Sequence, residues 1–250
     1  MSAQPGLIGA HANGTTGAQP AAAEATRAAA PAAPGGAEPE LEFELLGARA
    51  LRHAAAPAMA LDLQVSESSG RTVYMIGLSI QLMIEPARRR YDERTHERLA
   101  GLFGAPERWA VTTRSLLWAQ LDVVVPAFTG RTTVAVTLPC SYDLELAAVK
   151  YLHSLPDGEA PLAAHFNGIV YYRDDAGGLR LVLVPWSHSI DFRMPVSVWR
   201  ETISHYYPQR GWVALHEQTL EELERARVEL GLPTYDDCVR ALLETGAGDA

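Results

Sequence analysis

Three kinds of residue in this chain could do chemistry, and each has a competing structural role. Cys140 stands in Pro139-Cys140-Ser141-Tyr142-Asp143, at the end of an apolar alternation. Partnered by His153 or His165, its thiolate would be a nucleophile or a soft metal ligand. Free cysteine is also among the most buried residue types, so Cys140 and Cys238 read first as small apolar side chains. Cys140, His165, His188 and His205, with Asp191, are the candidate metal ligands. None has the close C-x-x-C or H-x-x-x-H spacing that makes such a site legible, so no metal and no cofactor is expected. Asp143 and Glu145 would share one strand face, where two carboxylates are usually solvated rather than engaged in acid–base work. The G-x-G-x-x-G, Walker, H-E-x-x-H and G-x-S-x-G patterns do not occur, and no catalytic residue is assigned.

The third kind is aromatic. Leu179 to Trp212 holds three of the five Trp and two of the eight His. Aromatics with a polar handle are enriched at interfaces, so Trp186, Tyr206, Tyr207 and Trp212 form a candidate partner-binding face. Trp199 and Ile203 read as core. Arg88, Arg89 and Arg90 could grip an acidic partner, although such runs are mostly solvated loop.

These residues need elements to hold them. Leu41, Phe43 and Leu45 alternate with glutamates, and Leu61, Leu63 and Val65 with Asp62 and Gln64, as half-buried strands do. After a turn at Ser66–Arg71, Tyr74, Ile76, Leu78, Ile80, Leu82 and Ile84 form one face of a longer strand, and the pair reads as an antiparallel hairpin. A short helix is expected over His96–Phe103, ended by Gly104. Strands follow at Ser115–Val125 and Thr132–Leu138. Ser141–Leu155 fits both periods and is read as a strand, in a meander with Leu162–Tyr172. Leu179–Trp186 is apolar on both alternating sets and is expected to be buried on both faces. A turn at Ser187–His188 would return the chain as strand Ile190–Met194. Three helices close the sequence: about 195–207, stopped by Pro208; 219–231, opened by a Thr219/Glu222 capping box; and 234–244, capped by Thr234 and Asp237, with a fraying tail from Gly246.

Residues 1–38 are rich in Ala, Pro and Gly and nearly free of large apolar side chains. They cannot bury enough surface to offset ordering entropy and are expected to be disordered. Residues 39–246 form one domain, a mostly β, antiparallel sandwich with a helical C-terminal cap. The 250 residues carry a net charge of −9, a poor match to phosphate backbones, so nucleic acid is not an expected partner. No apolar run approaches the ~20 residues of a membrane helix, and no secretory leader is legible. A cytoplasmic protein with free thiols is the expectation.

One further pattern runs through the ordered part: Ile84-Glu85-Pro86 with Arg88, Arg89 and Tyr91; Leu102-Phe103-Gly104; Trp118; Val125-Pro126; and Phe128-Thr129-Gly130. It continues through Pro139-Cys140, Tyr142-Asp143, Lys150-Tyr151, Pro161-Leu162, Phe166-Asn167-Gly168, Pro185-Trp186, Pro195-Val196, Trp199-Arg200 and Tyr206-Tyr207-Pro208. With these residues the chain, from about Leu41 to Leu243, resembles a bacterial family of unknown function whose genes tend to lie beside those of the actinobacterial-type, high-affinity uptake NiFe-hydrogenase. The resemblance implies an accessory role in making or operating the hydrogenase; with no catalytic constellation and an aromatic cluster in the chain, the expectation is a non-enzymatic accessory or chaperone-like protein that holds a hydrogenase subunit or maturation factor. Two other readings of the residues stand beside it. One is a metal- or thiol-dependent enzyme built on Cys140 and histidines; the other is a sandwich that binds a small molecule or glycan on Trp and Tyr platforms.

Overall fold

A computed structural model describes residues 38–143, 146–211 and 213–247. Residues 1–37, and with them nearly all of the expected disordered tail, lie outside the described residues, as do Glu145 and Trp212.

Two antiparallel sheets carry the fold. The first has the order β1 (Leu41–Ala50), β2 (Ala58–Glu67), β6 (Arg131–Pro139). The second has the order β4 (Leu116–Val125), β3 (Thr72–Ile84), β7 (Glu159–Arg173), β8 (Leu179–Val184). Two shorter strands extend its flanks: β5 (Phe128–Thr129) continues β4 along β3, and β9 (Ser189–Pro195) lies along the first half of β7. Each flank breaks at a proline, Pro126 or Pro185, a residue that cannot donate to a ladder. The sheets face one another across a core that contains Met59, Leu61, Leu63 and Val65 of β2 and Ile76, Leu78, Ile80, Leu82 and Ile84 of β3. Phe43 of β1 stacks on Phe166 of β7 across it, with ring centroids 4.5 Å apart. The antiparallel β-sandwich with C-terminal helices read from the sequence is therefore the observed architecture.

Several local expectations change. β2 and β3 do not pair: the turn between them carries the chain from one sheet to the other, so both strands send their alternate side chains into the shared core. Tyr74 leaves the row it was assigned to. The register slips between Val73 and Met75, and this bulge turns Tyr74 to solvent. The stretch read as a strand through Leu155 is instead the helix α3 (Ala147–Ser154). Its buried Ala148, Tyr151 and Leu152, with Leu155 beyond its end, share one helical face, whereas an extended chain would have aligned Lys150 with Leu152. The expected hairpin at Ser187–His188 is also absent. β8 and β9 run the same way, both antiparallel to β7, and Pro185–His188 bulge outward opposite Phe166 and Asn167.

The helices follow local rules. α1 (Glu93–Phe103) starts earlier than expected because Asp92 caps it, accepting from Thr95 N at 2.8 Å. It ends at Gly104, whose φ of 79° favours glycine. A single-turn α2 (Trp109–Thr112) follows. α4 (Val196–Tyr206) buries Val196, Trp199 and Ile203 against the sandwich. α5 (Glu217–Glu229) begins at His216 rather than at the Thr219 capping box, so Thr219 lies inside its first turn. Thr234 does cap α6 (Tyr235–Ala247), accepting from Asp237 N at 3.1 Å, and the helix runs past residue 244 through Gly246.

Candidate functional site

Cys140 directly follows β6, and its backbone N–H donates to Pro57 O at 2.8 Å. Its side chain is buried, and its thiol points to Leu138 O at 3.5 Å. Burial pushes the thiol pKa up to about 12, which disfavours the thiolate that a nucleophile or a soft metal ligand needs. The candidate histidines do not join it. His165 sits on β7 next to Phe166, on the opposite face of the sheet from the core. His188 packs edge-on against Phe43, with centroids 5.6 Å apart. His205 lies beyond the other end of β1, with Nε2 3.0 Å from Arg52 O. Among the described residues, no three His, Cys, Asp or Glu side chains are grouped to hold a metal ion.

The three arginines diverge. Arg88 pairs with Asp191 of β9. Arg89 is structural: it donates to Asp157 O at 2.8 Å and Glu159 O at 2.7 Å, tying the turn that leads into β7. Arg90 is exposed.

The aromatic stretch is divided between two ends of β1. Trp186 lies in the bulge between β8 and β9, where Pro185 and His188 adjoin Glu38 to Leu41. Its side chain is 77% exposed. Tyr206 ends α4, and its hydroxyl meets the far end of β1: it donates to Ala54 O (2.8 Å), with Leu51 O also at 3.0 Å, and accepts from Ala54 N (3.0 Å). β1 is ten residues long, so about 30 Å separate Trp186 from Tyr206. Trp212 lies outside the described residues.

Two other features come together that no local spacing announces. The first is the outer face of the second sheet beside its β8 edge. Leu179, Leu181 and Leu183 point outward at 56, 63 and 65% exposure, which corrects the expectation of a strand buried on both faces. The burial argument failed because β8 is an edge strand: Val182 and Val184 face the core, but nothing among the described residues covers the leucines. Register extends the row across the sheet, with Leu183 opposite Ile169, Ile169 opposite Gly77, and Gly77 opposite the exposed Val124.

The second is a cleft of about 310 Å³ at the α4 end, lined by Ser141, Tyr142, Asp143, Tyr207, Val213 and Ala214. The Tyr142 and Tyr207 rings are nearly parallel, at 14°, with centroids 6.3 Å apart. Tyr142 is steadied by Trp199, 5.9 Å away, and by a 2.9 Å hydrogen bond between its hydroxyl and His153 Nδ1. Partial desolvation, then the charges of Arg200 and Arg98, hold His153 below its ordinary pKa. The sequence singled out Tyr207 but not Tyr142 as a site residue. They are distant in sequence, and only the packing of α4 beside the end of β6 joins them.

A two-sheet antiparallel sandwich with appended helices, one open apolar edge and one aromatic cleft is the class of protein these elements define. The chain belongs to DUF6084, a family of unknown function whose model matches residues 38–250. Among curated proteins, none matches the chain. Two solved structures are similar at low level. A protein of Bordetella pertussis provisionally named ApaA is 9% identical, with 63% of this chain and 95% of that chain covered and a TM-score of 0.25. A beta-glucosidase from Kluyveromyces marxianus is 6% identical, with 62% of this chain and 15% of that chain covered and a TM-score of 0.22. TM-scores this low establish no shared fold.

Proposed function

We propose that this chain is a non-enzymatic, chaperone-like accessory factor that holds an extended segment of another protein along β8. The observation that carries the reading is a strand whose outer side is unpaired among the described residues and which exposes three leucines on one face. Such an edge is a template for strand addition: main-chain groups supply affinity and alternate side chains supply selectivity. Pro185 and the bulge after it limit the pairing to the six residues of β8. The matching client segment is therefore about six residues long, with apolar side chains alternating on the face that continues the leucine row.

The magnitudes favour transient holding. A fully buried leucine contributes about 1.5–3 kcal/mol and a ladder hydrogen bond about 0.5–1.5 kcal/mol net. Three partly exposed leucines and a few ladder bonds only modestly exceed the several kcal/mol that association costs. Release is then easy, as a holding factor requires.

The client in this proposal is a NiFe-hydrogenase subunit or maturation factor, met in the cytoplasm. Support for that finer assignment is the sequence resemblance over Leu41 to Leu243; the β8 edge supports only the manner of holding. The experiment is affinity purification of the tagged chain from its own host under hydrogenase-inducing conditions, beside a Leu181→Lys/Leu183→Lys variant and a deletion strain. The expected result is a hydrogenase component that co-elutes with the wild-type chain and is lost from the variant. Retention by the variant would remove β8 from the mechanism. Intact hydrogenase assembly and activity in the deletion strain would remove the client.

A further inference from the structure

β8 answers to the description of its own client: six residues, with Leu179, Leu181 and Leu183 alternating on one exposed face. Charged side chains, prolines or bulges usually keep such an edge from pairing with another copy of itself. The exposed face of Leu179–Val184 carries none of these, and the first obstacle is Pro185, beyond the end of the strand. The one charged residue of β8, Arg180, belongs to the other face, and its Nε donates to Asp174 Oδ2 at 2.8 Å within the same hairpin.

Two copies of β8 can meet antiparallel about a twofold axis normal to the sheet. Facing residues then point to the same side, so the axis passes through a residue rather than between two. Centred on Leu181, the pairing sets Leu181 against Leu181 of the second copy, Leu179 against Leu183, and Leu183 against Leu179. All three leucines gain a cross-strand partner. Arg180 faces Val182, and the two arginines are only diagonal neighbours, each beside its own Asp174. Centring on Val182 would set Leu179 against Pro185, and centring on Arg180 would oppose two like charges directly.

We propose that this chain pairs with a second copy of itself through β8, in antiparallel register centred on Leu181, and that the dimer closes the edge to clients. The closure rests on the strand-addition reading above; the dimer itself does not. A six-residue ladder is a small interface, of the class below about 1,200 Å² that forms transient complexes. The dimer is therefore concentration-dependent, and dilution or a competing strand reopens β8.

The test is sedimentation velocity on the full chain alone, over a wide range of concentration. Wild type is expected in a monomer–dimer equilibrium. Leu181→Lys and Leu181→Glu each place two like charges face to face on the axis, and each should weaken the dimer about tenfold or more. Their equimolar mixture faces Lys with Glu and should restore it. Leu181 is 63% exposed, so the protomer keeps its fold in these variants, which far-ultraviolet circular dichroism checks. Register is read by oxidation. Leu181→Cys should form a disulfide-linked dimer, because facing residues lie within disulfide reach. Leu183→Cys should not, because its two copies are about 13 Å apart along the strands. Cys140 and Cys238 are buried, so the introduced thiol is the accessible one. A soluble peptide carrying the Leu179–Val184 sequence should dissociate the wild-type dimer and fail to bind the disulfide-locked one. A wild-type chain that stays monomeric, a dimer unchanged by Leu181→Lys, cross-linking of Leu183→Cys as readily as Leu181→Cys, or peptide binding to the locked dimer would each overturn the proposal. A monomeric chain that still captures the hydrogenase component from its host leaves strand addition standing. A dimer whose chain captures none leaves only the self-pairing.

Discussion

The two ends of β1 take their aromatic residues from one short stretch of sequence and treat them in opposite ways. At the α4 end, Trp199 is buried, Tyr206 is hydrogen-bonded to the loop after β1, and Tyr207 stacks on Tyr142. At the β8 end, Trp186 and the three leucines stand in solvent. The difference is not one of residue type. A helix packs across the first end and supplies partners, whereas the other lies at a sheet edge with no neighbouring strand among the described residues. Aromatic density in a sequence therefore marks a region where packing is decided, not a single surface.

This contrast can be broken or sharpened by substitution. The largest effect is expected from Trp199→Ala, which removes a buried ring that braces Tyr142. It should cost about 3–5 kcal/mol in chemical denaturation; a cost near zero would mean that the α4 end is not core. Gly168→Ala tests the shared scaffold between the two ends. A Cβ there would sit 2.2 Å from Gly77 O, so β3 and β7 would have to move apart, at about 1–3 kcal/mol. Tyr206→Phe deletes only the hydroxyl and leaves the Ala54 amide without its acceptor, a loss of about 1–2 kcal/mol by the same measurement.

A smaller effect is expected from pH. His153 has a folded pKa below its ordinary 6.5, so the unfolded chain takes up the proton first as pH falls. Stability from this residue is therefore complete above about pH 6.5, declines below it, and is fully lost once pH passes below the folded value. Denaturation at pH 7 and pH 5, with His153→Gln as the reference, checks the sign. The smallest change in stability belongs to Leu181→Lys, below about 0.5 kcal/mol, since the side chain is already in water. If it destabilised the fold as Trp199→Ala does, the open-edge description of β8 would be wrong.

Much of this was legible in the residues. The alternation of Leu61, Leu63 and Val65, and of Ile76 to Ile84, is a local signal with a period of two, and the strands are where it occurs. Thr234, Gly104 and Pro208 punctuate helices through chemistry confined to one turn. The misreadings share a cause. Leu179–Val184 alternates like a strand covered on both faces, yet it became an edge. The segment around Ala147–Ser154 satisfied two periods, and only the face that met the core chose between them.

The sequence by itself determined a sandwich of alternating strands with helices at its end, because periodicity and capping act over a few residues. The tertiary structure alone decided that β2 and β3 belong to different sheets, that β8 has no outer neighbour among the described residues, that Cys140 is buried apart from the candidate histidines, and that Tyr142 meets Tyr207. Each of those depends on which distant strand or helix arrives beside a given face, and that choice is made by the summed packing of the whole core rather than by any local pattern.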